Sequence, residues 1–312
     1  MLRTRPEDER AARAVSLLAQ KAGAPHLTDV QRKLEEVLDA KYHNSTDLVS
    51  AAFDGNLEKV KDLLCKFANP NSEDKEGTVA LQGAVRKEHK DVVELLLDGR
   101  ADPSLKDHSG ESGLSIARRK GAANMISLML GANTDKLAML RGRNINDETI
   151  LHEAANAGHD SLVTAILESV PQEDLAALAK EKDNIGETCL HGAAKRGHAN
   201  VVTAIFEALP EADKATIAKG KDSQGMNLLH ILAKKGETET VTSILQLLPE
   251  ADKTTIAKEK DGQGMNVLHF LAKKGETETF TSIFQLLPED DDKIGIIKEN
   301  DEDNKTCLHS QP

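Results

Sequence analysis

The chain has 312 residues, of which 39% are hydrophobic but only 2% aromatic, with no Trp and one Tyr. That composition excludes a large aromatic-lined pocket and calls for a core of Ala, Leu, Ile and Val, as in small helices packed closely together. A formal net charge of −12 argues against general nucleic-acid binding, although charge of one sign can still be gathered locally.

Residues 1–44 differ in character from the rest. Thr4-Arg5-Pro6-Glu7 reads as a capping box with Pro in the first turn, opening a helix through about Gln20 that Gly23-Ala24-Pro25 breaks. Thr28-Asp29-Val30-Gln31 is a second capping box, and its helix carries Leu34, Val37 and Leu38. The pair is expected to form a helical N-terminal cap over the segment that follows.

Residues 45–312 read as a repeat array. A degenerate unit over 46–74 contains Asp47-Leu48-Val49-Ser50-Ala51-Ala52 and then Gly55-Asn56; a second spans 75–107 and a third 108–133. Four longer copies open at Asn144, Asp183, Asp222 and Asp261, and their histidines His152, His191, His230 and His269 stand 39 residues apart. His309 begins a further copy 40 residues on. The array thus holds about seven repeats plus the start of an eighth, a stacked solenoid in which each unit contacts mainly its neighbours. Within a copy, a small-residue helix from Leu190 to Lys195 is expected to end at Gly197-His198. A second helix then carries Val202, Ile205, Phe206 and Leu209 at helical spacing.

Gly186-Glu187-Thr188-Cys189-Leu190-His191-Gly192-Ala193-Ala194-Lys195-Arg196-Gly197-His198 resembles the ankyrin-repeat consensus G-x-T-P-L-H-x-A-A-x-x-G-H. The 33-residue step from Gly77 to Gly110 fits it too, as does Asp102 after Gly99-Arg100-Ala101. The resemblance covers residues 46 to 309. It implies an all-α ankyrin-repeat solenoid of helix-turn-helix units joined by β-hairpin fingers, with a concave face of fingers and first helices that binds proteins.

Three departures carry expectations of their own. Ile150, Cys189, Leu228 and Val267 replace the consensus proline, which should weaken the helix starts slightly. The third unit has Ser115 for the histidine and Arg118 for an alanine, and is expected to be distorted. The long copies carry segments such as Leu248-Pro249-Glu250-Ala251-Asp252, where Pro followed by acids marks a helix N-terminus. The six extra residues per copy read as one or two added helical turns. Residues 211–249 and 250–288 differ at only seven of 39 positions, which points to recent duplication.

The histidines fall one per unit along the stack rather than converging, whereas a metal site needs three or four converging ligands. The resemblance gives each the task of tying down its own turn, and makes His159 and His198 structural in the G-H corner. No nucleophile–base set, carboxylate pair or phosphate-binding glycine loop stands out, so neither catalysis nor a cofactor is expected. Cys65, Cys189 and Cys307 stand singly, without zinc spacing or a disulfide framework, which fits a reducing compartment. With no apolar signal segment and no run of about 18 apolar residues, the reading is cytoplasmic.

The positions before each G-H corner read Arg86-Lys87, Arg119-Lys120, Asn156-Ala157, Lys195-Arg196, Lys234-Lys235 and Lys273-Lys274. By the resemblance they lie on the concave face, where stacking would align them into a basic stripe for an acidic partner. The alternative is that they are solvated charges of little consequence. At the finger tips, Gln224 with Met226 and Gln263 with Met265 put methionines, expected to be exposed, where Glu148 and Glu187 stand. They are either adaptable contact residues or packing of one finger on the next.

These observations point to a monomeric, non-enzymatic module that binds an acidic or amphipathic protein. Single-strand nucleic-acid binders interleave aromatics with their cations, and this chain does not. The long, recently duplicated copies resemble those of ankyrin effectors secreted by intracellular bacteria, which would place the chain in host cytosol; a eukaryotic scaffold is the alternative. Residues 306–312 start a unit and stop mid-helix, so a second reading is the targeting or regulatory arm of a longer enzyme or membrane protein.

Overall fold

The computed structural model describes residues 46–132, 136–287, 291–301 and 306. The helical cap expected over 1–44 and the copy begun at His309 lie outside them. The chain forms two compact units divided between Ala132 and Asn133. Each is an all-helical stack, and among the described residues there is no strand.

In the first unit the helices run over 46–53, Leu57–Cys65, Ala80–Lys87, Lys90–Asp98, Gly113–Lys120 and Ala123–Ala132. First helices pack on first helices and second on second, as Ala80–Lys87 does on Gly113–Lys120 and Lys90–Asp98 on Ala123–Ala132. The distortion expected of the third repeat is not found. Its first helix is continuous, and Ser112 and Ser115 cap it reciprocally: Ser112 N donates to Ser115 Oγ at 2.7 Å and Ser115 N to Ser112 Oγ at 3.1 Å. A hydroxyl at position 115 does what histidine does elsewhere.

The second unit begins with Lys136–Arg141 and then sets three helices in each copy. In the Asp183 copy they are Cys189–Arg196, Ala199–Ala208 and Glu211–Lys219. The first opens on Thr188, whose side chain accepts from His191 N, and closes on Gly197 in the left-handed region at φ 79°. The second buries Val201, Val202, Ile205 and Phe206, each side chain contributing roughly 2 kcal/mol of burial. Pro210 then stops that helix and caps the third, which has Glu211 and Asp213 in its first turn and buries Ile217 and Ala218. The added segment is therefore a nine-residue helix, longer than the one or two turns read from the insertion. The missing proline has little consequence, because Thr149, Thr188, Asn227 and Asn266 each cap the helix that follows.

The expected β-hairpin fingers are tight turns. In each, an Asp or Asn side chain accepts from the backbone two and four residues on. Asp74 Oδ1 takes Glu76 N at 2.9 Å and Thr78 N at 2.8 Å; Asp222 Oδ1 takes Gln224 N at 2.8 Å and Met226 N at 2.9 Å. Only isolated bridges form, such as Glu73 with Val79 and Lys106 with Ser112. The side chain claims the N–H groups a ladder would use, and the next helix starts before a second pair can form.

Candidate functional site

The histidines are the most regular polar groups in the second unit. His152, His191 and His230 are buried, and each Nε2 reaches a distant backbone carbonyl: His152 that of Glu187 in the next copy at 3.3 Å, and His191 and His230 those of Gly220 at 3.0 Å and Glu259 at 2.9 Å, which close the third helix of their own copies. A carbonyl only accepts, so Nε2 carries the proton. Nδ1 then accepts from the backbone N–H of Thr149, Thr188 and Asn227. The histidine therefore ties down its own turn, and it also fastens that turn to the chain that leads into the next one. Burial lowers the pKa of all three, that of His230 to about 4, so the neutral ring is the native form. In the G-H corner, His198 Nε2 donates to Asn156 O at 3.1 Å. A Cβ on Gly158, at φ +68°, would stand 2.6 Å from the His198 ring, so glycine is required there on two grounds.

The paired cations close the first helices, where positive charge also suits the helix dipole. In the first unit most of that charge is answered internally. Arg86 Nη2 lies 2.7 Å from Asp107 Oδ2 and 3.5 Å from Glu111 Oε2, and Arg119 Nη2 is 2.8 Å from Glu111 Oε1. Lys120 Nζ is 2.7 Å from Glu88 Oε1, and Lys87 Nζ stands 4.5 Å over the Phe53 ring.

In the second unit, consecutive first helices stack in chain order and bring Lys195, Lys234 and Lys273 to the same end of neighbouring helices. Their environments differ. Lys195 Nζ sits between Glu187 Oε1 at 2.5 Å and Asp222 Oδ2 at 2.6 Å. Burial works against its charge, but the bonds to Asp222 and Glu187 outweigh it and its pKa is raised. Burial pushes Asp222 up, but Lys195 and the N–H groups of Met226 and Gln224 hold it below the usual carboxylate range. Arg196 Nη1 donates to Asn156 Oδ1 at 3.0 Å and Gly192 O at 3.2 Å. Lys234, Lys235, Lys273 and Lys274 are exposed and, among the described residues, make no ion pair.

The finger residues need a correction. Gln224 and Gln263 are exposed, but Met226 is buried and Met265 half-buried. The Met226 N–H is held by Asp222, and the next turn rests on this one through Gly262 N donating to Gln224 O at 3.0 Å. Packing of one finger on the next is thus present at these positions.

One set of residues was missed in the sequence. Arg143, Lys182, Lys221 and Lys260 each precede the Asp or Asn that opens a turn, and each donates to the equivalent carbonyl one copy on. The acceptors are Lys182 O at 2.9 Å, Lys221 O at 3.1 Å, Lys260 O at 3.0 Å and Asn300 O at 3.0 Å. A basic residue at one fixed place in all four copies was the signal. Among the described residues, no group of three or more His, Cys, Asp or Glu is placed to hold a metal ion. Burial pushes the Cys189 thiol up to about 12, which leaves it unreactive. A depression of about 190 Å³ beside the Gly158 and Gly197 turns is smaller than the roughly 300 Å³ of a small-molecule site. No helix among the described residues is long and apolar enough to cross a membrane.

A family model described as ankyrin repeats matches residues 48–139, 114–218 and 151–256. Among solved structures, an ankyrin repeat domain from Acinetobacter baumannii AYE is similar to this chain with a TM-score of 0.52 and 21% identity. The match covers 64% of this chain and 96% of that one. A second ankyrin repeat protein is similar with a TM-score of 0.50 and 23% identity, covering 65% of this chain and 98% of that one. No curated protein matches the chain. At these identities the structures speak for the fold alone, but the family match spans well over half of the chain. Its histidine-pegged helix pairs are ankyrin repeats, and the chain belongs to the ankyrin-repeat family, whose members generally serve as protein-interaction modules.

Proposed function

We propose that the chain is a non-enzymatic protein-binding module that takes an acidic or amphipathic partner on the first-helix and finger surface. The observation that carries this is the set of four exposed lysines, Lys234, Lys235, Lys273 and Lys274, which have no ion-pair partner among the described residues. They lie on two consecutive first helices of a chain whose net charge is −12. Cations of one sign gathered on such a surface steer an acidic partner and fix its register. Arg86, Lys87, Arg119, Lys120, Lys195 and Arg196 contribute less, because their charge is largely answered within the fold. The same reading takes the chain as a cytosolic monomer. The near-identical copies support an effector acting on host proteins.

A fluorescein-labelled polyglutamate peptide tests the surface. It should bind the wild type at low salt and weaken as salt rises. It should lose at least tenfold in affinity for the quadruple Lys234→Glu, Lys235→Glu, Lys273→Glu, Lys274→Glu variant. Equal binding by both proteins without salt dependence overturns the reading. Capture from lysate with the same two proteins then identifies the partner.

A further inference from the structure

A contact spanning eight residues recurs from copy to copy. A finger residue reaches the side chain at the end of its own first helix: Glu111 to Arg119 at 2.8 Å, Glu148 Oε1 to Asn156 Nδ2 at 2.8 Å, and Glu187 to Lys195 at 2.5 Å. In the last two copies the finger residue is Met226 or Met265, and the helix residue is still lysine. Lys234 Nζ lies 3.9 Å from Met226 Sδ. A thioether is too weak an acceptor to replace a carboxylate. Asp261, on the next turn, does not take the part that Asp222 plays for Lys195; among the described residues it makes no ion pair with Lys234. Two adjacent copies have kept the cation and lost its internal acid.

An exposed, unpaired lysine costs the fold little, so the exchange is no defect in stability. What it changes is the surface. In the Asp183 copy the carboxylate of Glu187 already occupies the place an incoming acid would take; in the Asp222 copy that place is held by the sulfur of Met226, and in the Asp261 copy the equivalent residue is Met265. The half-buried Met265 adds an apolar, adaptable contact beside its lysine.

We infer, building on the reading above, that Met226 and Met265 mark two adjacent carboxylate sites. The partner is then an extended acidic segment that presents one Asp or Glu to each copy. Stacked helices stand roughly 8–10 Å apart, and an extended chain of polyproline II type has about three residues per turn and rises roughly 3.1 Å per residue, so two acids three residues apart lie on one face at the matching distance.

Two proteins and a set of peptides test this. The probe is a fluorescein-labelled Gly/Ser peptide with two glutamates three residues apart, read by anisotropy. The double variant Met226→Glu/Met265→Glu gives these copies the residue that the Asp183 copy has at Glu187 and leaves all four lysines in place. It should bind the probe at least tenfold more weakly than wild type, whereas Met226→Gln/Met265→Gln should stay within threefold. Peptides with adjacent glutamates, or with glutamates six residues apart, should bind the wild type at least fivefold more weakly. Wild-type affinity in the Met→Glu double, with binding lost in the quadruple lysine variant, overturns this inference and leaves the proposed function standing. Retained binding in both variants overturns both. If thermal melting shows the double misfolded because Met226 is buried, Met265→Glu alone decides, with a threefold or greater loss expected and wild-type binding overturning the inference.

Discussion

His152, His191 and His230 each act as donor at one ring nitrogen and acceptor at the other, and only the neutral ring can do both. His230 illustrates the consequence. Burial takes its pKa to about 4, against about 6.5 in an unfolded chain. Between these values the unfolded chain binds a proton that the native protein does not, so stability falls as pH drops through that window and is level above it. His152 and His191 are shifted in the same direction and add to the slope. The melting temperature of the protein should therefore decline from pH 7 to pH 4, with His230 alone contributing on the order of 3 kcal/mol. A His230→Asn variant should show a shallower decline, and an unchanged slope would refute the assignment. Asp222 acts in a lower window, because its depressed pKa gives stability that is lost only as pH falls below the ordinary carboxylate value. The places of the histidines were legible from the sequence. Their second bond was not, since nothing in the phrase around His191 singles out the carbonyl of Gly220, 29 residues on at the end of the third helix.

Helices in this chain are short, eight to ten residues in most copies, so their ends matter as much as their faces. Threonine caps the first helix at Thr149 and Thr188, and asparagine does so at Asn227 and Asn266. Both offer a short side chain whose oxygen accepts from the third residue of the helix, and in both the cap's backbone N–H donates to the histidine Nδ1. Thr188→Asn should thus leave stability within about 0.5 kcal/mol, whereas Thr188→Ala should cost about 1–2 kcal/mol. Urea denaturation of the two variants checks this, and equal losses would count against the cap. The third helix was legible from Pro210 and Pro249 with their following acids, but its length was not. Counting inserted residues measures how much chain is added, while the break at proline also hands residues of the preceding segment to the new helix. The links between third helices, Lys180 to Asp213 at 2.5 Å and Lys219 to Asp252 at 2.7 Å, likewise appear only once successive copies are stacked.

At the scale of the molecule, stability in the second unit is a sum of copies and of the interfaces between neighbours. Phe206 is fully buried in Ala199–Ala208, which packs against Asp160–Ser169 on one side and Thr238–Gln246 on the other. Phe206→Ala should cost about 3–5 kcal/mol. Hydrogen exchange should show the loss of protection concentrated in those three helices and least in Asp291–Lys298. A uniform loss over the unit would contradict nearest-neighbour coupling. The sequence by itself determined the period, the positions of the helices, the pegs and caps, and the family, because each is a local pattern that recurs. It also placed cations at one point of every copy read except the one with Asn156-Ala157. Only the tertiary structure decided which of them are spent. Lys195 is neutralised by acids from its own finger and from the next, while Lys234 faces a buried thioether. Charge pairing depends on distance in space, and stacking is what brings the finger, the helix end and the following turn within a few ångströms of one another.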